Sequence, residues 1–322
     1  MFRYILKRLI QMIPLLIFIS IISFGISKLA PGDFLTQKAL NPSISPETIA
    51  AERSRLGLDQ PVPIQYVRWA TNFVQGDMGQ SFMYRTSVSS LIVQRLGNTL
   101  ILGVAAFIFT WLVAIPLGIA MAVRQYSTFD KVASGLTFFL LGIPEFFLAL
   151  LLLFAAAKTG VLPVGGMTSP DFAYMNGFQQ AIDIGLHLII PVFAVAVGSI
   201  AILQRRMRGN LLDVLGEEYV RTARAKGLPE NRVIYKHAVR NAINPLVTIL
   251  GYEFASLLSG FALVEIIIGW PGMGMMMLEA LQGLDMTLAM AGIMMGAFML
   301  LVGNLLADIL LALVDPRIKL EA

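Results

Sequence analysis

Residues 216–245 read GEEYVRTARAKGLPENRVIYKHAVRNAINP, the only long polar run in the second half of the chain. Apolar runs flank it at 186–204 and 246–268. That contrast decides the fold class, because each flank is long enough for the ~20 residues a bilayer span needs. Inside the polar run, Glu217 and Glu218 open one short helix, and Arg221, Arg224 and Lys226 follow toward its end, an order that suits the helix dipole. Glu217 and Arg221 stand one turn apart and can pair. Gly227 is placed to end this helix in a left-handed conformation, and Pro229 to open the next. Charge alone also permits a plainer reading, in which a basic loop merely holds its side of the protein in the cytoplasm.

Working outward, the whole chain is apolar. Of its 322 residues 57% are hydrophobic and 14% charged, against roughly a quarter charged in soluble domains. This is the composition of an all-α, multi-pass membrane protein. The net charge of +4 is small, and its distribution argues for membrane orientation rather than nucleic-acid binding. With no cysteine, neither a disulfide nor a thiolate metal site can form.

Six spans are expected, near 9–29, 98–123, 132–157, 186–204, 246–268 and 288–312. The first follows Arg3, Lys7 and Arg8, like a signal peptide. Its apolar run is too long for one, and the only candidate cleavage point, after Ala30, has Lys28 at the wrong place and Pro31 next, so an uncleaved helix is read. Nine lysines and arginines crowd residues 205–245, and the opening segment, the 124–131 loop and Arg317 with Lys319 share that side. Both termini are therefore placed in the cytoplasm. Residues 30–97 form a small helical subdomain on the outside, with helix starts at Pro46 and Pro63, stops at Gly57 and Gly76, and a third helix leading into the membrane. The chain divides into a transmembrane helix (1–29), this subdomain (30–97) and a five-helix core (98–322) that carries the polar loop 205–245. Pro14, Pro116, Pro144 and Pro191 interrupt spans, as prolines do in membrane helices. Gly292 and Gly296, four apart, allow a close helix contact, within this chain or with a partner.

Catalytic signatures are missing. The sequence holds no P-loop, no HExxH and no GxSxG, and His187 and His237 fall on opposite sides of the expected topology. The acids within the spans carry more information. Spans two to six have no lysine or arginine, yet hold Glu145 near the middle of the third, Glu253 and Glu265 in the fifth and Asp308 in the sixth. Intramembrane ionisable groups are costly and point to function by default. Glu145 and Glu253 are candidates for a translocation pathway or a subunit interface, whereas Glu265 and Asp308 lie near span ends, where interfacial water can solvate them. Met286, Met290 and Met294 form one helical stripe that fills space or lines an adaptable surface.

An ordered set of short matches runs from end to end: Pro31-Gly32-Asp33; Gly57-Leu58-Asp59 with Pro61, Gln65-Tyr66 and Trp69; Gly76-Asp77-Met78-Gly79 with Ser81; Glu218 through Gly227; His237, Arg240-Asn241 and Pro245; Glu265 with Trp270-Pro271-Gly272-Met273-Gly274; and Asp315-Pro316-Arg317. In this order the chain resembles the permease subunits of ABC importers for dipeptides, oligopeptides and nickel. The resemblance implies that 217–227 is the loop that contacts an ATPase subunit, with Glu217, Glu218, Tyr219, Arg221, Ala223, Arg224 and Gly227 as coupling residues and Tyr219 and Ala223 on the docking face. Relative to the general importer pattern, the chain keeps Ala223 and Gly227. It has Arg221-Thr222 in place of Glu-Ala, and His237 and Arg240 where Ile and Pro stand, a departure shared by the peptide branch. Also implied are a second, similar permease subunit, two ATP-binding subunits that carry ATP and magnesium, an extracytoplasmic substrate-binding protein, and a place in a bacterial-type inner membrane. The expected function is peptide import, with no enzymatic step in this chain. Import of nickel or another small solute by the same family, and a free-standing secondary transporter, are the alternatives.

Overall fold

The computed structural model describes residues 2–29, 34–39, 44–55, 57–246 and 261–314. Glu253 and the matches at 31–33 and 315–317 lie outside them. Among the described residues the secondary structure is helical, save one isolated bridge between Gln80 and Ser87. Four helices among the described residues are long and apolar enough to cross a membrane, or up to six if each of two bent pairs counts as one span.

The long helix α1 (Phe2–Leu29) leads to α2 (Phe34–Ala39), α3 (Pro46–Arg55) and α4 (Val62–Val74). Gly57, with φ +70°, and Gly76, with φ +85°, follow α3 and α4, where the sequence places stops. Next comes α5 (Val88–Val123), 36 residues and about 54 Å long at 1.5 Å per residue. It is one continuous helix, so the proposed boundary between residues 97 and 98 falls inside it.

The third expected span is broken. α6 (Thr128–Leu141) and α7 (Glu145–Thr159) meet at 102°, because Gly142 ends one helix and Pro144 caps the start of the next. Pro14, Pro116 and Pro191 instead sit inside continuous helices. Of these four prolines only Pro144 stands at a break between helices, with Gly142 two residues earlier.

The expected 186–204 span is much longer than drawn. α8 (Gly177–Leu215) starts in a reciprocal cap, in which Gln179 N–H donates to Asn176 Oδ1 and Asn176 N–H donates to Gln179 Oε1. After it come α9 (Glu218–Ala225), α10 (Glu230–Arg232), a π-helical turn (Val233–Ala238) and α11 (Val239–Ala242). The fifth span is seen from α12 (Ala262–Ile268), which bends by 78° into α13 (Met273–Gln282). α14 (Met286–Val314) closes the described chain.

α5 and α8 form the central pair. They approach closely at Gly118, where a Cβ would lie 2.6 Å from the Gln204 carbonyl oxygen and 2.8 Å from Met207 Cβ. Lipid gives no hydrophobic drive for helices to associate, so small residues and close packing must hold such pairs. At the C-terminal end of α5, Ile119 and Ala122 share a core with Leu203, Met207 and Leu211 of α8 and with Val220 and Ala223 of α9. At its other end, Val88, Leu91 and Ile92 pack with Met276, Ala280 and Leu288. Gly292 meets Met277 across α13, which is packing within the chain, whereas Gly296 has nothing near it.

Candidate functional site

The polar hairpin folds as two arms on the C-terminal ends of α5 and α8. Glu217 is the residue before α9, and its side chain makes no capping bond. Glu218 rather than Glu217 takes Arg221, at 2.8 Å, because the helix begins one residue later than the sequence implies and i, i+3 is the contact its first turn allows. At the far end the chain stops in a Schellman arrangement. Gly227 N–H donates to Arg224 O at 2.9 Å, Leu228 N–H donates to Ala223 O at 3.4 Å, and Gly227 takes φ +75°.

The two faces of α9 differ. Val220 and Ala223 are buried in the chain's own core. Ala223 is therefore not on the outer face with Tyr219, as expected from their spacing of one turn. Four residues advance a helix ~400°, so the two are close in azimuth, but the small methyl of Ala223 lies in the core while the larger Tyr219 ring stays 41% exposed. Glu218, Tyr219, Arg221 and Arg224 remain exposed. Arg224 Nε and Nη2 donate to Glu230 at 3.2 and 2.7 Å, tying α9 to α10 across the Gly227 turn. The hydrogen bond from Arg224 holds the Glu230 carboxyl below the usual carboxylate range.

Tyr219 marks a recess that the sequence did not outline. Tyr219, Lys236, His237, Arg240, Asn241 and Asn244 line it. Asn241 Nδ2 donates to Tyr219 Oη at 2.8 Å and to His237 O at 3.2 Å. The π-helical turn brings Lys236 and His237 to the same side as Arg240, since an extra residue per turn rotates them. The recess thus joins the two halves of the hairpin, 22 residues apart, in one cationic surface.

Two further polar sites emerge only in three dimensions. Asp130, 3% exposed, accepts Arg208 Nε and Nη2 at 2.8 Å each and Tyr126 N–H at 2.9 Å. This pins the loop before α6 to α8 just above the hairpin. At the opposite end of α5, Glu265 is fully buried. Thr99 Oγ1 donates to its Oε1 and Gly274 N–H to its Oε2, each at 2.6 Å. Trp270 Nε1 donates to Asn98 O at 3.0 Å, and Asn98 Nδ2 to Pro271 O at 2.8 Å. A Cβ on Gly272 or Gly274 would collide with this carboxyl. Interfacial water is therefore not what satisfies Glu265: Thr99 of α5 and the backbone just after the bend between α12 and α13 supply its donors.

Asp308 also has a protein partner, Arg8 of α1 at 3.0 Å. Glu145 lies near the middle of the bent α6–α7 pair. It opens α7 at the break, exposed, with Gly198 of α8 opposite its carboxyl. The hairpin residues form one site, and Glu145 is not part of it.

Residues 114–320 match the family model described as binding-protein-dependent transport system inner membrane component, and residues 1–103 match the N-terminal model of the same membrane component. The chain belongs to this family. An oligopeptide transport system permease protein of Bacillus subtilis is 40% identical over 99% of this chain and 100% of its own length. A dipeptide transport system permease protein of Escherichia coli is 37% identical over 99% of both, and a putative peptide permease protein of Brucella suis 36% over 99% of both. In this inner membrane component the hairpin lies wholly within the matched 114–320 region, as do α8, which carries it, and Glu265.

Proposed function

We propose that this chain is one permease half of an ATP-driven importer of di- or oligopeptides. The observation that carries the reading is its end-to-end likeness to oligopeptide and dipeptide permease proteins. A second permease subunit completes the pathway, two ATPase subunits bind ATP and magnesium, and an extracytoplasmic binding protein delivers the peptide. Both termini and the hairpin face the cytoplasm. The Arg8–Asp308 pair supports a common side for the two ends, since it joins the start of α1 to the last turns of α14.

On this reading the ATPase grips the exposed face of α9 and the recess beside it, through Glu218, Tyr219, Arg221 and Arg224. Glu217 and Gly227 fix where α9 begins and ends, and Ala223 seats it on the bundle. Because Val220 and Ala223 are packed against α5 and α8, α9 cannot move without those two helices. Closure of the ATPases then tips the pair as a rigid body between two packed states. Glu145, at the α6–α7 break, and Glu253 are pathway candidates whose carboxylates suit a peptide's cationic amino terminus.

The experiment is uptake of a labelled dipeptide by proteoliposomes holding the chain with its co-expressed partners. Uptake that needs ATP and a binding protein is the expected result. Transport driven by an ion gradient without ATP, or no ATPase subunit recovered with the chain, would overturn the reading. Replacing Glu145 with Gln should lower uptake, and unchanged uptake at all peptide concentrations removes it from the pathway.

A further inference from the structure

Away from the hairpin, the end of α1, α3, α4 and the start of α14 border an open cavity of about 570 Å³, within the ~300–1,000 Å³ range of small-molecule sites. Its described lining includes Lys28, Arg53, Arg55 and Arg68 and no carboxylate. Phe24, Trp69 and Met290 give it an apolar wall.

Two observations place this cavity at a membrane–water boundary. α1 stays apolar to its last turn, ends at Lys28 and Leu29, and exposes Ile22 and Ile26. α4 is two-faced. Its Tyr66 and Trp69 rings lie 5.5 and 5.8 Å from Phe24 of α1, while Ile64, Val67 and Val74 are 53%, 61% and 87% exposed. A helix with one such face uncovered lies in the interface plane with that face in the acyl boundary. Arg68 is exposed beside Val67, and its guanidinium rests over Gly57, where an added Cβ would come 2.7 Å from Nη1. Arg55 meets Glu52 only at 3.5 Å and is 76% exposed, a pairing worth little in water. Lys28 and Arg53 have partners within the chain and add field to the site.

We propose that this cavity seats the headgroup of an anionic phospholipid. Its phosphate lies against Arg55 and Arg68, and its acyl chains run along the exposed isoleucines of α1. Charge complementarity selects an anion, and the flanking apolar faces of α1 and α4 select one that carries hydrocarbon. The site is independent of what the protein transports and of which leaflet it faces.

The test uses the full chain with its co-expressed partners, delipidated and titrated with phosphatidylglycerol or phosphatidylcholine, read by native mass spectrometry and by thermal unfolding. Wild type should retain one phosphatidylglycerol that R55Q/R68Q binds about thirtyfold more weakly, the effect of two interfacial charges at roughly 1 kcal/mol each. R55K/R68K should keep most of the affinity. Phosphatidylcholine should not be retained, and excess inorganic phosphate should not displace the lipid. Equal retention by wild type and R55Q/R68Q, or of the two lipids by wild type, overturns the proposal. Displacement by inorganic phosphate also overturns it, since the site then takes the free anion. The wild-type comparison of the two lipids decides the matter even if a variant folds poorly.

Discussion

A carboxyl group with no exposed surface, such as Glu265, is tolerated only where donors meet it. Thr99 and Gly274 do so because Gly272 and Gly274 let the backbone pass within reach. Gly272→Ala should therefore destabilise the protein by about 1–3 kcal/mol, the usual range for overpacking, measured by thermal unfolding in detergent. Gly97→Ala, with nothing within 4 Å, should be neutral or slightly stabilising, since alanine favours helix. Tyr84 offers a pH test. Burial, then the hydrogen bond it donates to Glu279, pushes its phenol up to about 12. Stability that depends on the neutral phenol is complete below pH ~10, where the unfolded tyrosine begins to ionise. It is lost as pH rises toward 12. The melting temperature of wild type should fall more steeply over that window than that of Tyr84→Phe, and parallel curves would show that Tyr84 contributes no linkage.

Among the elements, the hairpin was the most legible. Its helix ends are written locally, in Gly227, Pro229 and the order of acids before bases, and α9 appears within a residue of where those signals put it. Its inner and outer faces were not legible, since burial of Ala223 depends on α5 and α8, a hundred residues and twenty residues upstream. The break between α6 and α7 was half legible: Gly142 and Pro144 are visible, but Pro116 and Pro191 look as disruptive and sit inside continuous helices. α6 is instead anchored from its start by Asp130, whose partner Arg208 is 78 residues away. Asp130→Asn leaves that guanidinium without its counter-charge and should cost about 3 kcal/mol, the low end for breaking a buried pair. A double-mutant cycle with Arg208→Met should recover a coupling energy of at least ~1 kcal/mol, and additive effects would show that the pair does not hold α6 to α8.

Across the whole molecule, α5 touches the hairpin core at one end and the Glu265 and Trp270 cluster at the other. A motion imposed on α9 reaches both ends through one helix. Gly227 tests this transmission. A Cβ there meets open space, so any cost comes from its positive φ alone, roughly 1–2 kcal/mol for a branched residue. Gly227→Val should leave ATP hydrolysis without binding-protein stimulation or uptake, while Gly227→Asn, which accepts the left-handed region, should keep most coupling. Equal, normal uptake by both variants would separate the turn from the coupling function.

What the sequence by itself determined was everything carried by neighbours in the chain: the apolar runs, the helix ends around the polar hairpin, and the ordered matches that point to an importer permease. Periodicity, dipole and glycine or proline geometry act over a few residues, so they can be read directly. Only the tertiary structure decided which side of α9 is free, that Glu265 is sealed, that Asp308 meets Arg8, and that Tyr219 shares a recess with His237 and Arg240. Each depends on partners far away in the chain. In an apolar medium, where a polar group must find a donor or acceptor within the protein, those distant partners settle its place.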